Sequence, residues 1–115
     1  MSEIRLDLMV KGKKKTFTQD FIPLRKALEY TEQEAKLWKK DKEGNDIKPT
    51  ESDLTRFRAK FVAGLFDDPD LTGDVILDGL DTSQRNMFID IIMYRVLGYE
   101  KPSEVVVDPK GVKTP

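Results

Sequence analysis

The residues best placed to do chemistry form an acidic stretch from Asp68 to Asp74. It reads Asp-Pro-Asp-Leu-Thr-Gly-Asp, so oxygen-bearing side chains alternate along the chain and a glycine stands at the bend, as in the first half of an EF-hand calcium loop. The twelfth loop position, where a bidentate glutamate completes the coordination sphere, is Gly79. The sequence therefore disfavours calcium, and we expect these acids to cap helix N-termini.

The chain of 115 residues contains neither cysteine nor histidine. This composition removes disulfides, thiolate nucleophiles, zinc sites of the usual ligand set and the ordinary acid–base group near neutral pH. Ser52 and Ser83 have no histidine to activate them, and neither a glycine-rich phosphate loop nor a distinctive carboxylate pair is present. We expect a protein that is not an enzyme and uses no metal ion and no cofactor.

Charge gives no global attraction to nucleic acid or to an anionic membrane, because 20 basic residues face 21 acidic ones. Two local basic clusters remain. They are Lys11 with Lys13, Lys14 and Lys15, and Arg56 with Arg58 and Lys60. The lysines lack interleaved aromatic residues, so they predict weak, salt-sensitive phosphate contacts at most. A small nucleic-acid-binding regulator is therefore the alternative function.

Cytoplasmic location is expected from the pattern of apolar residues. Those near the N-terminus alternate with Arg5 and Asp7, so no continuous signal-peptide core exists. The most apolar stretch, from about Asn86 to Leu97, falls well short of the roughly 20 residues that a membrane span requires. We therefore expect no membrane partner.

The stretch from Asp81 to Gly98 predicts a central core helix. Its apolar residues occupy nearly every direction of a helical wheel, and only Asp90 and Arg95 interrupt them. Asp81 can cap the first amides, and Gly98 suits the left-handed residue that closes a helix. A helix so apolar must be covered by the rest of the chain or by a partner.

Two runs near the N-terminus predict an antiparallel hairpin. Apolar and polar side chains alternate from Ile4 to Val10 and again from Thr16 to Ile22, the period of a half-buried strand. Between them Gly12 can adopt the positive φ of a tight turn, within a lysine-rich tip from Lys11 to Lys15. Because an isolated ribbon is marginal in water, its apolar face must pack on helices.

An amphipathic first helix is predicted from Pro23 onward. Its apolar stripe has three- and four-residue spacing and comprises Leu24, Ala27, Leu28, Thr31, Ala35 and Trp38. The charged and turn-forming residues from Lys40 to Thr50 then predict a mobile loop.

Two further helices are expected before the last one. The second begins at the capping motif of Thr50 to Asp53 and ends near Phe66, with the stripe Leu54, Phe57, Phe61 and Leu65. The third is short, capped by Asp70 or Thr72, and ends at Gly79. Its buried side comprises Val75, Ile76, Leu77 and Leu80.

Together these elements predict an α+β fold, in which an N-terminal antiparallel β-hairpin packs on a small bundle of about four α-helices. We expect one domain over residues 1–99 with a mobile loop around 40–50, and a flexible, disordered tail over 100–115. The large apolar residues exceed what this small body obviously covers, and methionines with aromatics suit surfaces that receive a partner's helix. The candidate partner-binding residues are Phe57, Phe61, Met87, Met93, Tyr94 and Leu97.

Several short motifs follow one another along the chain. They are Lys15-Thr-Phe17 on the hairpin, Arg25-Lys-Ala-Leu28 in the first helix, Leu65-Phe66, and the segment from Leu71 to Asp81 before the apolar last helix. In this order they resemble the small tail assembly chaperones of long-tailed bacteriophages, over roughly Ile4 to Leu97.

The resemblance implies a non-catalytic protein that binds the tape measure protein in the host cytoplasm, keeps it soluble, helps recruit the tail tube protein and is absent from the mature virion. It also implies a longer form made by ribosomal frameshifting, for which the region after Gly98 would be the natural joint. Weak, repeated apolar contacts could hold a long helix soluble through avidity. Homo-oligomerisation is left open.

Overall fold

The computed structural model describes residues 3–100, and its N-terminal hairpin consists of strands β1 (Ile4–Val10) and β2 (Lys13–Gln19). The register pairs Ile4 with Gln19 and Val10 with Lys13, so only Lys11 and Gly12 form the turn. Their φ values of 54° and 80° match the two-residue turn that follows the natural twist of a hairpin. The lysine-rich tip is thus shorter than predicted, because Lys13 to Lys15 belong to β2.

Helix α1 (Arg25–Ala35) is followed by a second small hairpin, β3 (Lys39–Lys40) and β4 (Asp46–Ile47). The predicted loop around residues 40–50 thus contains a short hairpin, and its mobility stays a prediction. The Asp41 carboxylate closes this turn by accepting hydrogen bonds from the Glu43 and Asn45 amides, each 2.9 Å long. Hydrogen bonding from the Asn45 backbone accordingly lowers the pKa of Asp41.

Helix α2 (Glu51–Ala63) begins as the sequence predicts, since the Thr50 hydroxyl accepts a hydrogen bond of 3.1 Å from the Asp53 amide. The helix ends at Ala63, before the predicted Phe66. Leu65 and Phe66 are nevertheless buried, because the chain turns back over the core directly after α2.

Helix α3 (Gly73–Gly79) is capped by the Thr72 hydroxyl, which accepts a 3.2 Å hydrogen bond from the Val75 amide. The prediction of Thr72 as a cap is confirmed. Gly79 does more than end the helix, because α3 packs against β1 at this point. A Cβ atom on Gly79 would lie 2.7 Å from the Met9 carbonyl oxygen, so only glycine permits this approach.

The last helix changes its winding along its length. A 3₁₀ turn (Thr82–Gln84) leads into α4 (Arg85–Asp90) and then into a π-helical segment (Ile91–Val96). Asp81 caps the start through the Ser83 amide at 2.9 Å, and Gly98 closes the end with a φ of 77°, as predicted. Hydrogen bonding to Ser83 lowers the pKa of Asp81.

The prediction of one regular α-helix to Leu97 is wrong in its second half. In an α-helix Val96 would lie far around the helix from Ile91, five residues earlier, whereas π winding brings the two residues closer to one face. Ile91 and Val96 are both buried and Arg95 stays at the surface margin. The π winding therefore accompanies the burial of both apolar residues.

The core lies between the apolar face of the hairpin, α2, α3 and the last helix. It comprises Ile4, Leu6, Leu8, Phe17, Tyr30, Ala59, Phe61, Val62, Ala63, Leu65, Phe66, Leu71, Ile76, Phe88, Ile91, Ile92 and Val96. This arrangement confirms the predicted α+β class. Among the helices described, none combines the length and the apolar character needed to cross a membrane. The predicted disordered tail lies outside the described residues from Lys101 onward.

Candidate partner-binding surfaces

Two of the predicted partner-binding residues hold α1 against α2. Phe61 is only 7% exposed, and its ring meets that of Tyr30 edge-on with 5.0 Å between centroids. Phe57 is half-buried, 5.2 Å from Tyr30 by the same measure. Such aromatic pairs stabilise packing beyond the area they bury. Phe61 therefore contributes to the core in this structure, and only Phe57 of this pair keeps an accessible edge.

The other four predicted residues, Met87, Met93, Tyr94 and Leu97, lie half-buried on the last helix. Met87 and Leu97 pack against the margin of the core. The Arg95 guanidinium beside them donates a 2.8 Å hydrogen bond to the Asp20 carbonyl, which ties this helix to the segment after β2. Their role in partner binding stays a prediction.

Large apolar side chains are exposed elsewhere on the molecule. They are Met9, Phe21, Leu24, Leu28, Trp38, Ile47, Leu77 and Tyr99. None of these belongs to α2 or to the last helix. Two surfaces stand out among them: a groove centred on Leu77, and the outer face of α1 with Leu24 and Leu28.

The groove consists of three adjoining depressions between α2, α3 and the start of the last helix. Their volumes are about 220, 380 and 430 Å³, and Leu77, which is 41% exposed, lines all three. The apolar floor of the smallest of the three depressions consists of Ala59, Ile76, Leu80 and Phe88. A concave apolar floor of this kind can receive the side chains of an amphipathic helix.

Charged residues border this groove on both sides. The Arg85 guanidinium forms an exposed ion pair with Glu51 at 3.2 Å, while Arg56 and Lys60 stand along the exposed side of α2. Exposed pairs of this kind contribute little to stability, so these side chains are free to reorient toward a partner. The rim is thus polar around an apolar floor, the usual anatomy of a protein–protein contact.

Sequence reasoning missed Leu77 as a surface residue because it placed Val75, Ile76, Leu77 and Leu80 on one buried side. Ile76 is buried, and the next residue on a helix points about 100° away from it. A helix of seven residues therefore cannot bury both of these neighbours against one flat surface. The offset of about 100° between Ile76 and Leu77 is the sequence signal that identifies Leu77 as a surface residue.

Helix α1 turns its predicted apolar stripe outward except at Ala27, which packs against the margin of the core. Leu24 and Leu28 are 87% and 54% exposed, and Trp38 beyond the helix end is 45% exposed. The residue that α1 buries is Tyr30, which the predicted stripe left out. The prediction of the buried face is wrong because Phe57 and Phe61 offer an aromatic partner to Tyr30, and neighbouring leucines cannot reach it.

Hydrogen bonds at the Tyr30 hydroxyl reinforce this contact. The hydroxyl donates to Glu34 at 3.1 Å and accepts from the Arg58 guanidinium at 3.3 Å. Burial raises the pKa of Tyr30 above its ordinary value. The basic residue Arg58 is therefore engaged within the protein, between α1 and α2.

The remaining candidate sites are used within the chain. Lys15 stands 5.0 Å from the centroid of the Phe17 ring and 4.0 Å from an Asp70 carboxylate oxygen. The Asp68 carboxylate accepts a 2.9 Å hydrogen bond from the Asp70 amide. Across residues 3–100, no group of three or more acidic side chains is arranged to hold a metal ion. Nucleic-acid binding by the lysines stays a prediction.

Comparison with protein families gives one finding. The family model described as phage tail chaperone protein matches residues 1–110, nearly the whole chain. No curated protein and no solved structure matches.

Proposed function

This chain belongs to the phage tail chaperone protein family, and we propose that it binds the helical tape measure protein and keeps it soluble during tail assembly. The proposal extends to recruitment of tail tube subunits, a place of action in the host cytoplasm, absence from the mature virion and a longer frameshifted form. It is a binding function without catalysis. The sequence has no cysteine and no histidine, so it lacks a thiolate nucleophile and a histidine base to activate a serine.

The observation that best supports tape measure binding is the open groove around Leu77. Its floor is apolar, its rim is charged, and it runs beside α2, so one face of a partner helix can insert side chains while its polar face stays in water. Each contact of this size is weak. A long helix offers many such segments, and several chaperone copies can cover it and still be displaced during assembly.

The half-buried residues of the last helix extend this proposed contact. Met87 directly precedes Phe88, which lines the groove. Met93, Tyr94 and Leu97 continue the same helix and keep accessible edges. Methionine adapts its shape to different apolar partners, which suits a surface that binds many segments of one long chain. Phe57 and Phe61 lie outside the groove lining, where they hold α1 on α2 through Tyr30.

Leu77→Glu tests the proposal in a co-expression experiment with the tape measure protein of the same phage. We expect the wild-type chain to raise the soluble fraction of the tape measure protein at least severalfold, and Leu77→Glu to lose most of that gain. A buried, unpaired carboxylate in the apolar groove would oppose binding. Because Leu77 is already exposed in the free protein, the thermal midpoint of the variant should stay within a few degrees.

Ile47→Glu is the matched control, since it places the same carboxylate at another exposed apolar residue that lies outside the groove lining. It should leave the soluble fraction unchanged. The proposed function is wrong if the wild-type chain gives no gain in solubility. The groove is the wrong surface if Leu77→Glu performs as well as the wild type, or if Ile47→Glu loses as much of the gain.

A further inference from the structure

Helix α1 presents an exposed apolar stripe with the spacing of a coiled-coil seam. Leu24, Leu28, Thr31, Ala35 and Trp38 follow one another at intervals of four, three, four and three residues, and all five are exposed. Leu24 and Lys36 both have helical backbone angles, and the Trp38 amide donates to the Ala35 carbonyl at 3.3 Å. The helical path thus runs from Leu24 to Lys36, and Trp38 follows it in a turn closed by the hydrogen bond to Ala35.

Alternating intervals of three and four residues favour a second helix as the occupant of this face. The repeat averages 3.5 residues, which keeps the seam against a partner helix along its whole length. Thr31 and Ala35 are small, so they let two helix backbones approach, while Leu24 and Leu28 supply the apolar contact. The stripe is convex and continuous, unlike the groove around Leu77.

The charges beside the stripe identify that helix as α1 of a second copy of this chain. Arg25 and Glu32 each directly follow a seam residue, Leu24 and Thr31, so both lie on the same flank of the helix, seven residues apart. An antiparallel partner places the same flank of the two helices side by side. Arg25 of each copy then faces Glu32 of the other, and two-fold symmetry makes this contact twice.

We propose that two copies of this chain associate through antiparallel α1 helices, with the Leu24–Leu28 stripe as the seam and reciprocal Arg25–Glu32 pairs beside it. Within residues 3–100, neither Arg25 nor Glu32 takes part in an ion pair, so both are free to make these contacts. Parallel helices would instead bring this flank against Ala27 and Glu34, where Glu32 finds no opposite charge. The α1 seam uses different residues from the proposed tape measure surface around Leu77.

The seam is short, so the dimer is weak. Helix α1 has 11 residues. That corresponds to a length of about 16 Å, and two such helices bury less than the roughly 1,200 Å² of a standard stable interface. We expect a dimer that forms and dissociates with protein concentration. Such a dimer would double the number of groove sites per particle and thereby strengthen binding to a repetitive partner.

Trp38 reports on the proposed interface, because it is the only tryptophan of the chain and lies at the end of the seam. Sedimentation equilibrium of the full chain should fit a monomer–dimer equilibrium. Trp38 fluorescence should shift to shorter wavelength over the same concentration range, as its half-exposed ring loses water. A chain that stays monomeric, with unchanged Trp38 emission at all concentrations, would overturn the proposal.

A charge exchange tests the antiparallel register. Arg25→Glu and Glu32→Arg each turn two attractive contacts into repulsive ones, so each should weaken the dimer about tenfold. The double variant restores opposite charges and should return to within about twofold of the wild type. Lys42→Glu, in the exposed turn between β3 and β4, makes the same change in net charge as Arg25→Glu and should have no effect.

The remaining outcomes also decide the matter. The register is wrong if the double variant is no tighter than the single ones, or if Lys42→Glu weakens the dimer as much. If Leu28→Glu abolishes binding of the tape measure protein while the wild-type chain is monomeric, the stripe binds a foreign helix and the self-association proposal fails.

Discussion

Helix α2 directs its apolar stripe into the core, whereas α1 directs a stripe of similar length toward solvent. On α2, Leu54 and Phe61 are buried beneath neighbouring elements. On α1, Leu24 and Leu28 have no cover within the described residues, and the helix is held to α2 through Tyr30. The two helices thus have different roles. Helix α2 contributes its apolar stripe to the core, whereas α1 packs on α2 through the face opposite to its apolar stripe.

This difference teaches that an uncovered stripe need not be a defect of packing. An amphipathic helix is useful to a binding protein when its apolar face stays free and its other face is anchored. Helix α1 meets both conditions, since Tyr30 anchors it and the seam residues stay accessible. The groove around Leu77 is a second uncovered surface, concave where α1 is convex. The molecule therefore has a concave apolar surface around Leu77 and a convex apolar stripe on α1.

The largest expected effect comes from shortening one side chain in each stripe and comparing the free energies of unfolding. Phe61→Ala in α2 should lower the free energy of unfolding by about 3 kcal/mol, because it leaves a cavity between α1, α2 and the hairpin. Leu28→Ala in α1 should change it by less than about 0.5 kcal/mol, because an exposed side chain has little burial to lose. Urea unfolding followed by circular dichroism measures both values.

Protein concentration provides the control for this pair of variants. In dilute solution Leu28→Ala should unfold like the wild type, and at high concentration it should unfold earlier, because it lacks the stabilisation that the dimer gives. Phe61→Ala should be destabilised at every concentration. A large cost of Leu28→Ala in dilute solution would contradict the exposed position of the α1 stripe.

Local signals in the sequence predicted much of the fold, because they depend on a few neighbouring residues. Alternation located β1 from Ile4 to Val10, and Thr50, Thr72 and Asp81 cap the elements that the sequence assigned to them. Gly98 closes the last helix for the same local reason. These features can be predicted without knowing which helices and strands pack against each other.

Features that depend on distant contacts could not be predicted. Periodicity shows which side of α1 is apolar, but whether that side is covered depends on Phe57 and Phe61, which attract Tyr30 and turn the helix. The π winding after Ile91 depends on the shape of the core beneath it. Of the candidate binding surface, the sequence located α2 and the last helix but missed α3 with Leu77, because it assumed that a whole apolar run is buried.

The next prediction concerns the close contact between the backbones of α3 and β1, which belongs to the packed core beneath α2. Gly79→Ala should cost about 2 kcal/mol, although alanine favours helices. The new methyl group would approach the Met9 carbonyl oxygen to 2.7 Å, so α3 and β1 must separate. Gly64→Ala at the end of α2 is the matched control, since its methyl group would lie 3.4 Å from the nearest atom.

Gly64 also has ordinary helical backbone angles. Its replacement should therefore be neutral, or stabilising by up to about 1 kcal/mol. Thermal unfolding measures the difference between the two variants. Equal midpoints would show that α3 and β1 have room to move apart. The contact between α3 and β1 would then be no more closely packed than the contact between α1 and α2.

The smallest effect concerns the polar link between the two helices. Tyr30→Phe keeps the ring contacts with Phe57 and Phe61 but removes the hydrogen bonds to Glu34 and Arg58. We expect a loss of about 1 kcal/mol at pH 7. Tyr99→Phe is the control, because that ring is exposed and its replacement should change nothing.

Alkaline pH gives the same link a second test. Burial raises the pKa of Tyr30 above its ordinary value of about 10, so the folded state holds the phenolic proton more tightly than the unfolded state does. Stability from this group is complete below pH of about 10 and falls as the pH rises toward the folded-state pKa. The advantage of the wild type over Tyr30→Phe should therefore shrink above that pH, as urea unfolding would show. An advantage that stays constant would mean that the phenol is as well hydrated in the folded protein as in the unfolded chain, and that α1 is not anchored through a buried Tyr30.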